Sequence, residues 1–258
     1  MTLRCSRLVS LVAVLSLQAL RAQPAPPADS SMRPASQESP AQTLTPERRG
    51  DIYMARRMYR EALEAYRKAP QDSPIIWNKM GIAYQQLTEL DTARKHYERS
   101  LKLNPKYPEA INNLGTIHYA RKNYRRAVSQ YQRALKITPD SASILSNLGM
   151  AYFARKRYQE AAETFQQALA IDPEVFEHRS TYGVLLQERS VEERAKFHYY
   201  LSKLYAQGGR TELALQYVRK ALEEGFKDRK NFLEDPDFAG LRELPEFKEL
   251  MTLEPRVL

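Results

Sequence analysis

A 34-residue step governs most of this chain. Gly81, Gly115, Gly149 and Gly183 keep it, as do Pro105, Pro139 and Pro173, Ala93, Ala127, Ala161 and Ala195, and the ring positions Tyr97, Tyr131, Phe165 and Tyr199. Four residue types on one period make an internal repeat. A repeat of this length is a supersecondary unit that buries its apolar face only against its neighbours, which dictates a stack.

Each unit carries two apolar patterns of helical spacing. In the unit from Pro108, Ile111, Leu114 and His118 share a face of one helix, and Tyr124, Ala127, Tyr131 and Ala134 share a face of the next. Pro108 suits a helix-opening turn, and Pro139 stops the second helix. Gly115 and Ala127 are small, so the paired helices can approach closely there. The expected class is all-α: a solenoid of antiparallel helix pairs.

At these residues the chain resembles the tetratricopeptide repeat (TPR) family, which implies that the solenoid is right-handed. One unit matches through Trp77, Met80, Gly81, Tyr84, Leu90, Ala93, Tyr97 and Pro105, the next through Leu114, Gly115, His118, Tyr124, Ala127, Tyr131, Ala134 and Pro139. A third matches through Leu148, Gly149, Tyr152, Tyr158, Ala161, Phe165, Ala168 and Pro173. An earlier unit (Gly50, Tyr53, Tyr59, Ala62, Tyr66, Ala69) stands 31 residues upstream, and Pro70 is expected to shorten its second helix.

The expected array runs over 47–228, with units near 47–73, 74–107, 108–141 and 142–175 and a fused pair over 176–228. In the frame of Gly183, Ala195, Tyr199 and Ser202 belong to a second helix. Counted back from Ala214, Val218 and Ala221, the same stretch places His198, Leu201, Ser202 and Tyr205 on a first helix. One helix serving both units is the expectation. Residues 229–258 break the period but keep Phe238, Leu241, Phe247 and Leu250, as a cover for the last apolar side would. The cover is similar to the closing segment of bacterial arrays in this family.

The first 46 residues differ. Arg4 and Arg7 precede an uncharged run from Leu8 to Leu20, with small Ala19 and Ala22 after it, so residues 1–22 read as a signal peptide, too short for a comfortable membrane span. Residues 23–46, rich in Pro, Ala, Ser and Gln, read as an extended tether that cannot offset its ordering entropy. The expectation is export to the periplasm or beyond, with no transmembrane segment after cleavage. The formal charge of +9 becomes +6 once Arg4, Arg7 and Arg21 are removed, and the only cysteine, Cys5, leaves with them. The mature chain then has neither disulfide nor thiolate chemistry.

No catalytic constellation is visible. His96, His118, His178 and His198 lie apart, without a metal-binding pair at helical spacing, and the phosphate-cradling and nucleophile-elbow motifs are missing. No cofactor, metal or enzymatic activity is expected. The resemblance implies instead a concave surface lined by the first helices: Ile75, Asn78, Ile82 and Gln85; Asn112, Asn113, Thr116 and Tyr119; Ser146, Asn147, Met150 and Phe153. Amides there suit a peptide backbone, and Tyr119, Met150 and Phe153 are expected to receive an apolar side chain. Some family members clamp a partner's C-terminal carboxylate in this groove. Asn113 matches that clamp, but Asn78, Ile82, Thr116 and Ser143 stand where it would need its other basic or Asn residues, so a clamp for a chaperone's C-terminal tail is not expected.

Charge gathers at the turns within units: Arg56, Arg57 and Arg60; Arg121, Lys122, Arg125 and Arg126; Arg155, Lys156 and Arg157. The turn at Leu87, Thr88 and Glu89 breaks the series. Stacking would align these residues as a basic rim facing an acidic protein or an anionic envelope polymer; export argues against nucleic acid. The expected function is a non-enzymatic scaffold or adaptor of the cell envelope that holds a peptide or protein segment in the groove. The alternative is a structural part of a larger envelope assembly, pilus or secretion machinery, docked through the rim.

Overall fold

Proline opens three of the first helices, serine caps the other two, and a left-handed residue follows each of them. The computed structural model describes residues 44–177 and 190–252. The signal-like segment, the tether up to residue 43, the Gly183 frame and His178 lie outside the described residues. Four helix pairs come first: α1 (Pro46–Ala55) with α2 (Tyr59–Arg67), α3 (Pro74–Gln86) with α4 (Leu90–Leu103), α5 (Pro108–Ala120) with α6 (Tyr124–Leu135), and α7 (Ala142–Ala154) with α8 (Tyr158–Ile171). Then α9 (Val191–Gln207) pairs with α10 (Thr211–Glu223), followed by α11 (Lys230–Glu234), a 3₁₀ turn (Pro236–Phe238) and α12 (Pro245–Thr252). Pro46, Pro74 and Pro108 occupy first-turn positions, where the missing N–H costs nothing. Residues 44–46, expected in the tether, lead into α1 instead: Thr45 caps it, its Oγ1 accepting from Arg48 N at 3.2 Å. Helix α2 ends at Arg67, ahead of Pro70.

Within each pair the first helix lies under a ring of the second. A Cβ on Gly50, Gly81, Gly115 or Gly149 would sit 2.3, 2.5, 2.6 or 2.4 Å from the ring of Tyr66, Tyr97, Tyr131 or Phe165. Those distances are far below contact, so only glycine admits the ring. The buried hydroxyls find partners nearby: Tyr66 donates to Asp51 Oδ1 at 2.8 Å, Tyr97 to Gln85 Oε1 at 2.8 Å and Tyr131 to Thr116 Oγ1 at 3.3 Å. Phe165 has no hydroxyl, and beside its glycine Met150 stands where the Tyr131 unit has Thr116. Polar and apolar pairings are thus each kept consistent, as burial demands.

Each turn between paired helices is the same Schellman closure. Arg57, Thr88, Lys122 and Lys156 take φ of 59°, 62°, 59° and 60°, and Gly209 takes 68° at the matching turn after α9. The N–H one residue later returns to the carbonyl of Tyr53, Tyr84, His118, Tyr152 or Tyr205 at 2.8–3.0 Å. This shared geometry aligns Tyr205 with Tyr84 and Tyr152, so α9 ends as a first helix does. Ala195, Tyr199 and Ser202 are buried along with Leu201 and Tyr205; the first helix that would pair with α9 in the Gly183 frame lies outside the described residues.

Beyond α10 the chain covers the stack. Phe226 lies parallel to the Tyr199 ring at 4.6 Å, and Phe232, Phe238, Leu241, Phe247 and Leu250 are buried in the same cluster. Asp235 ties this cover down, accepting from Lys203 Nζ at 2.6 Å and Tyr199 Oη at 3.1 Å while capping the 3₁₀ turn through Asp237 N at 3.1 Å. Burial works against its charge, but the Lys203 ammonium, the Asp237 amide and the Tyr199 hydroxyl outweigh it and hold the carboxyl below the usual range.

Candidate functional site

The first helices bring four asparagines into one hydrogen-bonded line. Asn147 Nδ2 donates to Asn112 Oδ1 at 3.0 Å, Asn112 Nδ2 to Asn113 Oδ1 at 3.4 Å, and Asn113 Nδ2 to Asn78 Oδ1 at 3.0 Å. The rule is simple: a residue on one first helix reaches back to the preceding position of the previous unit. At the start of the array Lys79 obeys it, donating to Glu47 Oε1 at 2.7 Å and also to Asp51 Oδ2 at 2.8 Å. Burial disfavours the Lys79 charge, but its bonds to Asp51 and Glu47 outweigh that and hold the ammonium above the ordinary lysine value. Each ladder amide keeps unused donor or acceptor capacity, since an amide has two N–H groups and two lone pairs.

Beside this line runs an open cavity of about 740 Å³. The first helices give it Asn78, Ile82, Asn112 and Asn113; the segment entering α7 adds Thr138, Pro139, Asp140, Ser141, Ser143 and Ile144, and the start of α5 adds Pro108 and Glu109. Of the residues expected in the groove, Ile82, Gln85, Asn112 and Asn113 are half-buried, Asn78 and Asn147 are buried in the ladder, and Ile75 is exposed. Gln85 and Thr116 are taken by tyrosine hydroxyls, and Ser146 Oγ donates to its own helix at Ser143 O.

The apolar part of the expectation needs correction. Tyr119, Met150 and Phe153 are 5%, 0% and 3% exposed, so none offers a free surface. Tyr119 packs edge-on against Tyr124 at 5.2 Å, and Phe153 against Tyr158 at 5.2 Å and Phe197 at 5.7 Å. They fill the space between neighbouring helices. The contributions missed in sequence, Glu109 and Asp140 above all, come from the first turn of α5 and the approach to α7. Their signal was position: they border helix starts that the period brings to one edge.

The rim is uneven. Arg121 pairs with Asp91 at 2.5 Å and lowers that carboxyl, while Arg157 pairs with Glu160 and lies 4.9 Å from the Tyr152 ring. Among the described residues, Arg56, Arg57, Arg60, Lys122, Arg125, Arg126, Arg155 and Lys156 have no ion pair. Burial holds His96 and His118 below the ordinary imidazole value. No three His, Cys, Asp or Glu side chains among the described residues could hold a metal, and no described helix is long and apolar enough to cross a membrane.

Tetratricopeptide repeat models match residues 72–140 and 107–174, and again 184–228. The chain belongs to the tetratricopeptide repeat family. Within this TPR chain, 67 residues are 37% identical to the photosystem I assembly protein Ycf3 of Synechococcus elongatus, covering 24% of the chain and 39% of that protein. Another 82-residue match, 29% identical, is to the small glutamine-rich tetratricopeptide repeat-containing protein 2 of Mycosarcoma maydis, over 31% of the chain and 23% of that protein. The TPR chain therefore spans less than half the length of these relatives. Among solved structures, MamA from Desulfovibrio magneticus RS-1 gives a TM-score of 0.47 at 21% identity, over 69% of the chain and 92% of that structure. YrrB, described as a TPR protein with an unusual peptide-binding site, gives 0.44 at 19% identity, over 69% and 84%.

Proposed function

We propose that this protein is a non-enzymatic scaffold of the cell envelope, exported and tethered, that holds an extended, polar peptide segment in the groove along the asparagine ladder. The observation that carries the reading is the line Asn147–Asn112–Asn113–Asn78 beside an open cavity of about 740 Å³. Pre-ordered amides at successive units can meet successive peptide groups at little entropic cost. With Tyr119, Met150 and Phe153 buried, specificity for a large apolar side chain is not part of the proposal. That the matched Ycf3 protein is named for assembly and YrrB for peptide binding agrees with it. The test is capture from envelope extract by the parent protein and by Asn112→Ala with Asn113→Ala. Partners lost from the double variant support the groove, and an unchanged set rules it out.

A second reading, docking to a larger envelope assembly of acidic surface through the rim, has its own support. Arg57, Lys122 and Lys156 hold positive φ where Gly209 serves the same closure without strain. Three cations are kept at about 1 kcal/mol each over glycine, and all three are exposed and without an ion pair among the described residues. Charge reversal at Lys122, Arg125 and Lys156 removes association under this reading and leaves groove binding intact.

A further inference from the structure

Two acids stand in the groove with nothing to meet them. Glu109, in the first turn of α5, and Asp140, just before the Ser141 cap of α7, both line the cavity of about 740 Å³ beside the asparagine ladder. Both are exposed, and among the described residues neither takes part in an ion pair or a hydrogen bond. No described lysine or arginine lines this cavity, in a chain with 40 Lys and Arg against 31 Asp and Glu. The groove is therefore locally acidic on a basic molecule.

Stacking does not call for these acids. One period before and after Glu109 stand Ile75 and Ser143, and one period before Asp140 stands Lys106. A helix dipole favours an acid such as Glu109 in the first turn, yet the first turns of α3 and α7 do without one. Around the two carboxylates the lining has the parts that a long cationic side chain needs. Pro108, Pro139 and Ile82 offer apolar wall to an aliphatic stem, and the Ser141 and Ser143 hydroxyl oxygens are further acceptors for a head group that only donates.

We propose that the segment held along the ladder is basic, its Lys or Arg head group set against Glu109 and Asp140 and its stem along Pro108 and Pro139. The inference rests on the asparagine groove being the binding site and adds the charge of the ligand to it. Asn112 and Asn113 meet the backbone, while the two carboxylates choose among side chains. The basic rim would select the opposite sign, so the charge of a bound peptide tells the two surfaces apart.

The test is selection of random dodecapeptides, displayed on phage, by the purified full chain, followed by calorimetric titration of the selected peptides at low salt, where screening is weak. Two variants define groove binding: Asn112→Ala, and Ser143→Trp, which blocks the cavity from an exposed position outside the ladder. Peptides lost with both should carry Lys or Arg. Glu109→Gln combined with Asp140→Asn should weaken them by about tenfold, as should norleucine in place of the basic residue. Joining the two changes should cost little more than either alone. Both acids are exposed, so the neutralised variant folds like the parent. Groove-dependent peptides that are neutral or acidic overturn the proposal and leave the groove standing, as do basic peptides that bind the neutralised variant like the parent. Selection of acidic peptides alone, indifferent to Asn112→Ala and Ser143→Trp, overturns both the proposal and the groove and places binding at the rim.

Discussion

Asn113 donates to Asn78 across a unit boundary at 3.0 Å, and 34 residues further on Asn147 repeats the bond to Asn112 at the same length. At the array's start the same contact is an ion pair, Lys79 to Glu47 at 2.7 Å. The stack therefore uses one inter-unit contact with two chemistries. Asn112 is the link between the two amide bonds, so its removal is the most informative.

Asn112→Ala deletes an acceptor and a donor at once and leaves Asn147, only 7% exposed, without its partner. A cost of about 1–3 kcal/mol is expected. Denaturant unfolding measures it, and a loss below experimental error would mean that the ladder contributes nothing to stacking.

The left-handed turns predict gains. Thr88 is β-branched at φ 62°, the least comfortable residue of the four non-glycine examples. Thr88→Gly should stabilise by about 1 kcal/mol, raising Tm, since Gly209 already serves at that position without steric cost. Lys156→Gly should gain a similar amount while removing a rim charge. Thr88→Gly, which changes no charge, separates strain relief from reduced repulsion.

The closing segment predicts a pH dependence. Asp235 has its carboxyl held down in the folded state, so it contributes stability above its unfolded value of about 3.9 and loses it as pH falls through the lower folded value. Asp235→Asn should therefore lower Tm at pH 7, where the bonds to Lys203 and Tyr199 are charge-assisted. The difference from the parent should shrink below pH 4. A gap that stays constant from pH 7 to pH 3 would show that ionisation of Asp235 is not what matters.

The groove was only partly legible. Asn78, Asn112, Asn113 and Asn147 could be placed on the concave face by counting, because a period fixes which residues recur on one side of a helix. Counting could not tell Phe153 from a ligand-facing residue. Its fate depends on Tyr158 and Phe197, which come 5 and 44 residues later and close over it in space. The rim behaved likewise: its turns were visible as charge clusters, but the pairing of Arg121 with Asp91, 30 residues earlier, depends on how two units meet.

The sequence by itself determined the helix pairs, their order and their closest approach, because a glycine every 34 residues opposite a ring 16 residues later admits one packing and recurs in local spacing. Tertiary structure alone decided which polar groups are spent and which are left. Amides 35 residues apart meet as a ladder only when one unit sits at a particular offset on the next. Hydrogen bonds reach about 3 Å, so a small change in how two units stack decides whether such a bond is made.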